Sequence, residues 1–351
     1  MSGFRLEAVS GKARAGTLMT SHGRVKTPFL MPVATKGSVK LLSMEEVSSA
    51  GIECIIANAF ILSMRPGTGI IAKHGGLHRF MQWGRGLFTD SGGFQVLSRE
   101  FCLGLSDEGV QFRNPFTGRQ ALFTPEESIS IQNALCSDVA MCLDDVPRAN
   151  EGAGRLAEAV ARTTLWAKRC REAHSNRKQM LFGICQGGTD AKLRAKSARE
   201  ITSLDFDGYA IGGLVIGEPK EKTFPAAEAA LPFLPEEKPR YMMGVGDEQE
   251  LRRAIAAGID CFDSCFATRT ARHGGAFTSA GNINIDSAKF RADIGPLDSA
   301  CDCQVCANHS RAYIHHLFRT KEENAGKYLS YHNLYFLQKM LERVREEIME
   351  D

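Results

Sequence analysis

Cys261-Phe262-Asp263-Ser264-Cys265-Phe266-Ala267-Thr268-Arg269-Thr270-Ala271-Arg272-His273 is the stretch on which the fold turns. Its first residues form a short apolar run suited to a buried strand, and Asp263 falls where that strand would end. Thr268, Arg269, Arg272 and His273 follow within about one turn of the acid. A carboxylate beside guanidiniums is expected to stay ionised and nucleophilic while the arginines hold a phosphate. The competing reading is a solvated strand-to-loop junction, and the stretch alone does not choose between them.

Working outward, seven more apolar runs of strand length recur: Thr27–Ala34, Ile52–Phe60, Leu87–Asp90, Val139–Asp144, Met180–Gln186, Tyr209–Leu214 and Tyr241–Val245. Helical spacing separates several of them. Arg155–His174 sets Leu156, Val160, Thr163, Trp166 and Cys170 on one face, and Asp247–Ala257 reads similarly. Strands alternating with helices imply parallel pairing, and eight of them predict an α/β fold, a closed (β/α)8 TIM barrel. Residues 1 to 26 alternate loosely around Gly11, Gly16 and Gly23, as an antiparallel lead-in would. The 351 residues hold a barrel of about 250 residues plus an appendage.

Barrel chemistry sits at the C-terminal strand ends. Here those ends carry Asn58, Asp90, Asp144, Gln186, Gly212–Leu214, Gly244–Gly246 and Asp263. One or two polar ends merely mark where strands meet water, but so consistent a set points to a site. In Asp90-Ser91-Gly92-Gly93-Phe94-Gln95 the glycines permit a tight turn and close approach of a flat ligand, and Phe94 offers an aromatic face. Asp144-Asp145 reads as a solvated strand end or as the acceptor of a guanine-like edge. Gln186 and the backbone at 212–214 are placed to meet the opposite edge.

A second signal lies near the C-terminus. Cys301-x-Cys303-x2-Cys306 is followed by His332, a complete tetrahedral shell for a structural zinc ion. His309, His315 and His316 compete for the fourth place, and three core cysteines is the non-metal reading. A helix is expected over Arg311–Arg319. The segment His332–Met349 carries Leu334, Leu337, Leu341, Val344 and Ile348 at helical spacing, a stripe more often core than interface. Basic residues thicken in the same third: Arg269, Arg272, Lys289, Arg291, Arg311, Arg319, Lys321 and Lys327. A local patch there would meet phosphates.

Composition is that of an ordinary globular chain, 43% hydrophobic and 24% charged. The formal charge of +2 is too small to signal nucleic-acid binding by itself. No apolar h-region or membrane-length run is present, and eleven cysteines without a secretory signal favour thiols and metal ligation in a reducing, cytoplasmic setting.

Taken together the motifs resemble the tRNA-guanine transglycosylase (queuine tRNA-ribosyltransferase) family, of the type without an extra RNA-binding domain. The resemblance runs from about residue 4 to the C-terminus. It is carried by T-D-S-G-G-F-Q-V, Asp144-Asp145, G-I-C-Q-G-G, G-Y-A-I-G-G-L-V-I-G-E, Y-M-M-G-V-G, G-I-D-C-F-D, T-R-T-A-R, P-L-D-S-x-C-x-C-x-x-C and S-R-A-Y-I-H-H-L. It implies one catalytic barrel domain over 1–351, with a zinc-binding subdomain inserted at about 287–335. It also implies exchange of the wobble guanine of tRNAs with G-U-N anticodons for a 7-deazaguanine base, and a homodimer. In that scheme Asp263 is the nucleophile on the ribose and Asp90 the general acid and base. Ser91, Phe94, Asp144, Gln186, Gly213, Leu214, Glu218 and Met243 bind the base, and Arg269 and Arg272 bind RNA. Cys301, Cys303, Cys306 and His332 hold one structural Zn2+.

The chain also departs from the family pattern. Asn58-Ala59-Phe60-Ile61-Leu62 lacks the histidine common at Ile61, and Ala267 replaces a common proline. Val146 with Ile216 is a mixed signature for the incoming base: Val is usual in queuine enzymes, a bulky aliphatic at 216 in those taking 7-aminomethyl-7-deazaguanine. Ile216 would obstruct queuine's cyclopentenediol, and Glu218 would meet an aminomethyl cation, so the smaller base is expected. Rival readings are a non-catalytic RNA-binding subunit, argued against by Asp90 and Asp263, and a metal-dependent barrel hydrolase, argued against by the missing strand-end histidines. An archaeosine-type enzyme would need a further C-terminal domain.

Overall fold

The eight apolar runs each contain a strand of one parallel sheet. A computed structural model describes residues 3–98 and 100–351. Three antiparallel strands lead in, β1 (Gly3–Ser10), β2 (Ala13–Thr20) and β3 (Gly23–Thr27). The barrel begins with β4 (Phe29–Pro32), β5 (Cys54–Asn58) and β6 (Gly86–Asp90). A separate antiparallel sheet interrupts it: β7 (Cys102–Leu105), β8 (Val110–Arg113) and β9 (Gln120–Phe123). The barrel resumes with β10 (Val139–Met141), β11 (Met180–Cys185), β12 (Gly208–Ile211), β13 (Arg240–Met242) and β14 (Cys261–Ser264).

Around the barrel the order is β4-β14-β13-β12-β11-β10-β6-β5. The two end strands meet at a parallel Val33–Ile56 bridge, where Ala34 N–H donates to Ile56 O at 2.7 Å. Apart from β6, the strands are shorter than the apolar runs that predict them; Val139–Asp144, for example, is extended only to Met141. Their last residues have left the sheet to form the loops of the mouth.

Alternation along each strand decides which strand-end groups face inward. Cys54, Ile56, Phe88, Phe182, Ile184, Tyr241 and Cys261 fill the barrel interior, whereas Leu87, Met242 and Phe262 face the surrounding helices. Two residues on from an interior side chain comes another, so Asn58, Asp90, Gln186, Met243 and Asp263 share the inner face. Asymmetry between the ends follows from the lead-in. Leu18 and Val25 join the interior cluster from below, and the buried Arg14 guanidinium lies 3.2 Å from Asp260, just before β14. The bottom is closed, so access is from the top.

Helix expectations hold with small shifts: Ala153–Ala173, Glu248–Ala256 and Arg311–Arg319. The C-terminal stripe belongs to a longer helix, Glu323–Glu350, which buries Leu334, Leu337, Leu341, Val344 and Ile348. That confirms a core role for the stripe. Arg345 ties this helix to the barrel by donating to Thr27 O (3.1 Å) and Pro28 O (2.9 Å). The region 287–335 holds a 3-10 turn (Ala288–Phe290), two short α-helices (Gln304–Asn308 and Arg311–Arg319) and the first half of that long helix. The β7–β9 sheet was not anticipated. Its apolar residues Val110, Phe112 and Phe123 are buried, with Phe112 and Phe123 each 5.0 Å from the Phe60 ring. No helix of the described residues is long and apolar enough to cross a membrane.

Candidate active site

A cavity of about 580 Å³ opens at the C-terminal ends of the strands, walled by Asp90, Phe94, Asp144, Val146, Ile216 and Asp263 among others. Ser91, Gly213, Leu214, Met243 and Arg269 line it as well.

Asp263, on β14, accepts two hydrogen bonds on one oxygen: Tyr241 hydroxyl to Oδ1 at 2.6 Å and Gly244 N–H to Oδ1 at 2.9 Å. Its Oδ2 is the oxygen left for the cavity. Burial raises the Asp263 pKa above the ordinary carboxylate value, and the Tyr241 and Gly244 donors oppose that rise. The sequence reading of this neighbourhood therefore needs correction. The groups that favour the Asp263 carboxylate are not arginines but a buried tyrosine and a backbone amide. Arg272 instead donates to Thr268 O at 3.0 Å within its own helix, and Arg269 reaches the cavity wall.

Asp90, on β6, is held by Asn58, whose Nδ2 donates to Oδ2 at 3.0 Å. The other oxygen, Oδ1, is buried without a partner. Burial first, and the Asp263 charge second, push the Asp90 pKa up to about 8. That shift favours the protonated acid at neutral pH, and its unpartnered oxygen is free to carry the hydrogen. Asn58 also accepts Ile61 N–H at 2.7 Å on Oδ1. The position that usually holds histidine is thus used here through its backbone.

The adjacent acids at 144 and 145 separate completely. Asp145 is buried against two guanidiniums, with Arg162 Nη1 at 2.7 Å and Arg155 Nη1 at 2.8 Å. Asp144 turns to the cavity, where Gln186 Nε2 donates to its Oδ2 at 2.6 Å. Burial lifts Asp144 to about 7, against the pull of Gln186. Gln186 itself lies beneath the cavity wall, fully buried, and its Oε1 has no partner.

Two glycines are demanded here by close approach. Gly92 has φ +81°, and a Cβ on it would come within 2.2 Å of Phe60 Cβ. Gly213 has φ +64°, and its Cβ would meet Gln186 Oε1 at 2.2 Å. Ser91 braces the first turn, accepting Gly93 N–H at 3.2 Å, and Phe94 remains 58% exposed at the rim.

Glu218 is placed differently from the other base-binding candidates. Its carboxylate accepts Val215 N–H (2.6 Å), Ile216 N–H (3.0 Å) and Thr223 Oγ (2.7 Å), so it holds the 215–218 turn rather than lining the cavity. The acids at the cavity wall that the sequence reading missed are Asp247 and Glu250, with Lys220 bonded to Glu250 at 2.8 Å. Their position just after strand-end loops was the available signal. Tyr241 was missed because a phenol inside an apolar run reads as core.

The cysteine cluster forms as expected. Cys301, Cys303 and Cys306 Sγ lie 3.7, 3.5 and 3.4 Å from His332 Nδ1. A tetrahedral shell with ordinary zinc bond lengths has S···N edges of about 3.6 Å. His332 Nε2 donates to Phe277 O at 2.7 Å, which leaves the Nδ1 lone pair for the cluster. The donor set fits a metal ion. Two rival histidines are engaged elsewhere: His315 Nδ1 bonds Ile285 O at 2.7 Å, and His309 stacks on Tyr328 at 4.5 Å. The expected basic patch is thinned by pairing. Arg311, Arg319 and Lys327 bond Asp293 (3.0 Å), Asp286 (2.9 Å) and Glu46 (2.7 Å).

Comparison with known proteins agrees with this geometry. A family model described as Queuine tRNA-ribosyltransferase matches residues 9–351. Curated proteins named queuine tRNA-ribosyltransferase are similar along nearly the whole chain. That of Caldanaerobacter subterraneus subsp. tengcongensis is 45% identical over 341 residues, covering 97% of this chain and 91% of the relative. That of Fusobacterium nucleatum subsp. nucleatum is 45% identical over 350 residues, 99% and 94%. That of Lysinibacillus sphaericus is 46% identical over 340 residues, 97% and 89%.

Proposed function

The chain belongs to the queuine tRNA-ribosyltransferase family, and from that premise we propose that it exchanges the wobble guanine, position 34, of G-U-N anticodon tRNAs for a 7-deazaguanine base. The observation that carries the mechanism is that Asp90 and Asp263 face one cavity on different anchors, Asn58 for the first and Tyr241 with the Gly244 amide for the second.

In the first step Asp263 Oδ2 attacks ribose C1′ as the C1′–N9 bond to guanine breaks. The bonding pair leaves with the base, and the Asp90 proton neutralises it. In the second step Asp90, now a carboxylate, takes the N9 proton of the incoming base, and that nitrogen displaces Asp263 from C1′. Division into two displacements at an oxocarbenium-like carbon parallels retaining glycoside hydrolysis. Asp144, fixed by Gln186, accepts from the N1–H and amino groups of the purine. Gly213 and Leu214 present backbone to the opposite edge, and Phe94 stacks on the ring. Arg269 meets a phosphate at the rim, with Arg272 a turn beyond it. Zinc bound by Cys301, Cys303, Cys306 and His332 supplies a structural crosslink between the 301–306 segment and the final helix.

The incoming base is read as 7-aminomethyl-7-deazaguanine, because the bulky Ile216 lines the cavity together with Val146. With Glu218 engaged by its own turn, the further carboxylates at the wall are Asp247, which caps the next helix through Oδ1, and Glu250, which is paired with Lys220. The test is incorporation of labelled guanine into an unmodified G-U-N tRNA. No label with wild type, or full label with Asp263→Ala, refutes the assignment. Faster exchange of queuine than of the aminomethyl base in direct competition would overturn the reading of Ile216. A homodimer is expected, and sedimentation of the purified protein decides it.

A further inference from the structure

Arg194 is fully buried, on the first turn of the helix Ala191–Thr202. A cation at a helix N-terminus opposes the helix dipole, and a buried one normally needs a carboxylate. No ion pair to Arg194 occurs among the described residues. Instead its guanidinium donates to four backbone carbonyls: Nε to Gly188 O (2.7 Å), Nη1 to Cys185 O (3.0 Å) and Gly212 O (2.7 Å), and Nη2 to Gly213 O (3.3 Å). These carbonyls come from the last residue of β11 and from the loops that leave β11 and β12.

The consequence lies on the cavity side. A trans peptide unit holds its C=O and N–H in opposite directions. With Gly212 O and Gly213 O drawn to the buried guanidinium, the N–H groups of Gly213 and Leu214 turn towards the cavity that these residues line. Asp144 is an acceptor matched to the donor groups of a guanine-type base. The 6-oxo group beside them is an acceptor and needs donors. We infer that Arg194 is a positioning residue that aims the Gly213 and Leu214 amides at the 6-oxo group of the base. It sets the direction of two backbone donors.

This rests on the base-exchange reading, so wild type is assayed first for incorporation of guanine and of 6-thioguanine. The thio base keeps N1–H and the 2-amino group but carries a weakly accepting sulfur. If wild type incorporates neither, the function reading fails. If it prefers guanine, Arg194→Lys and Arg194→Gln are compared at matched zinc content, with melting temperature recorded. The expected result is a raised KM for guanine, a smaller fall in kcat, and a preference for guanine narrowed by about tenfold, the worth of one hydrogen bond. Equal losses on both bases, an unchanged preference, or a lysine variant that does not fold would make the residue purely structural and overturn the inference.

Discussion

Asp90 and Asp263 stand on the inner faces of β6 and β14 at one mouth, and the charge of the second is a cause of the raised pKa of the first. One acid is anchored by Asn58 through an amide, the other by Tyr241 through a phenol. On the proposed mechanism this pairing divides two like groups into a proton donor and a nucleophile.

That division has a pH signature. Asp90 titrates at about 8 in the folded chain, well above its ordinary value. The folded state therefore holds a proton that the unfolded chain releases, and stability falls as pH rises from about 4 through about 8. Asp90→Asn removes this loss. It should be inactive, yet more stable than wild type by about 1–3 kcal/mol at pH 9 and by much less at pH 4. Paired melts at the two pH values check it; a gap that does not grow with pH counts against the assignment.

Tyr241→Phe removes the 2.6 Å hydroxyl donor to Asp263 and keeps the ring. The ionised carboxylate loses support, so its pKa rises further. Turnover should fall about 10- to 100-fold, with the acid limb of the rate profile moved to higher pH. An unchanged profile would sink the proposed role of the phenol.

Gly213→Ala puts a methyl 2.2 Å from Gln186 Oε1 at φ +64°. Gly11 has a similar φ of +59° but open space around it. Gly11→Ala should cost about 1 kcal/mol of backbone strain and leave exchange intact. Gly213→Ala should raise the KM for the base by about tenfold or more beyond any change in melting temperature. Equal behaviour of the two variants would remove Gly213 from the site.

Cys303→Ser, or prolonged chelation, should reduce bound zinc from one per chain to none and lower stability by several kcal/mol. Metal analysis with calorimetry measures both. Full metal content in the variant would refute the ligand set.

Much of the mouth was legible before folding. Apolar runs bounded by Asp90, Gln186 and Asp263 predict both the barrel and the end where its chemistry lies, because strand alternation is a period of two that can be counted along the chain. Cys301-x-Cys303-x2-Cys306 is equally local. By contrast the β7–β9 sheet is built of four-residue strands of which only β8 alternates, so it carried no comparable signal.

What the sequence by itself determined is the set of strand-end carboxylates, the thiolate cluster and the order in which they follow one another, since these depend on periodicities within single segments. Only the tertiary structure decided which groups support them. It gave Asp263 a tyrosine in place of the neighbouring arginines, sent Asp145 to Arg155 and Arg162 while Asp144 kept the cavity, and set Arg194 on the carbonyls of Gly212 and Gly213. Those partners are distant along the chain or turned by a helix to another side. Hydrogen bonding and burial, which fix the protonation of each acid, exist only once the barrel brings them together.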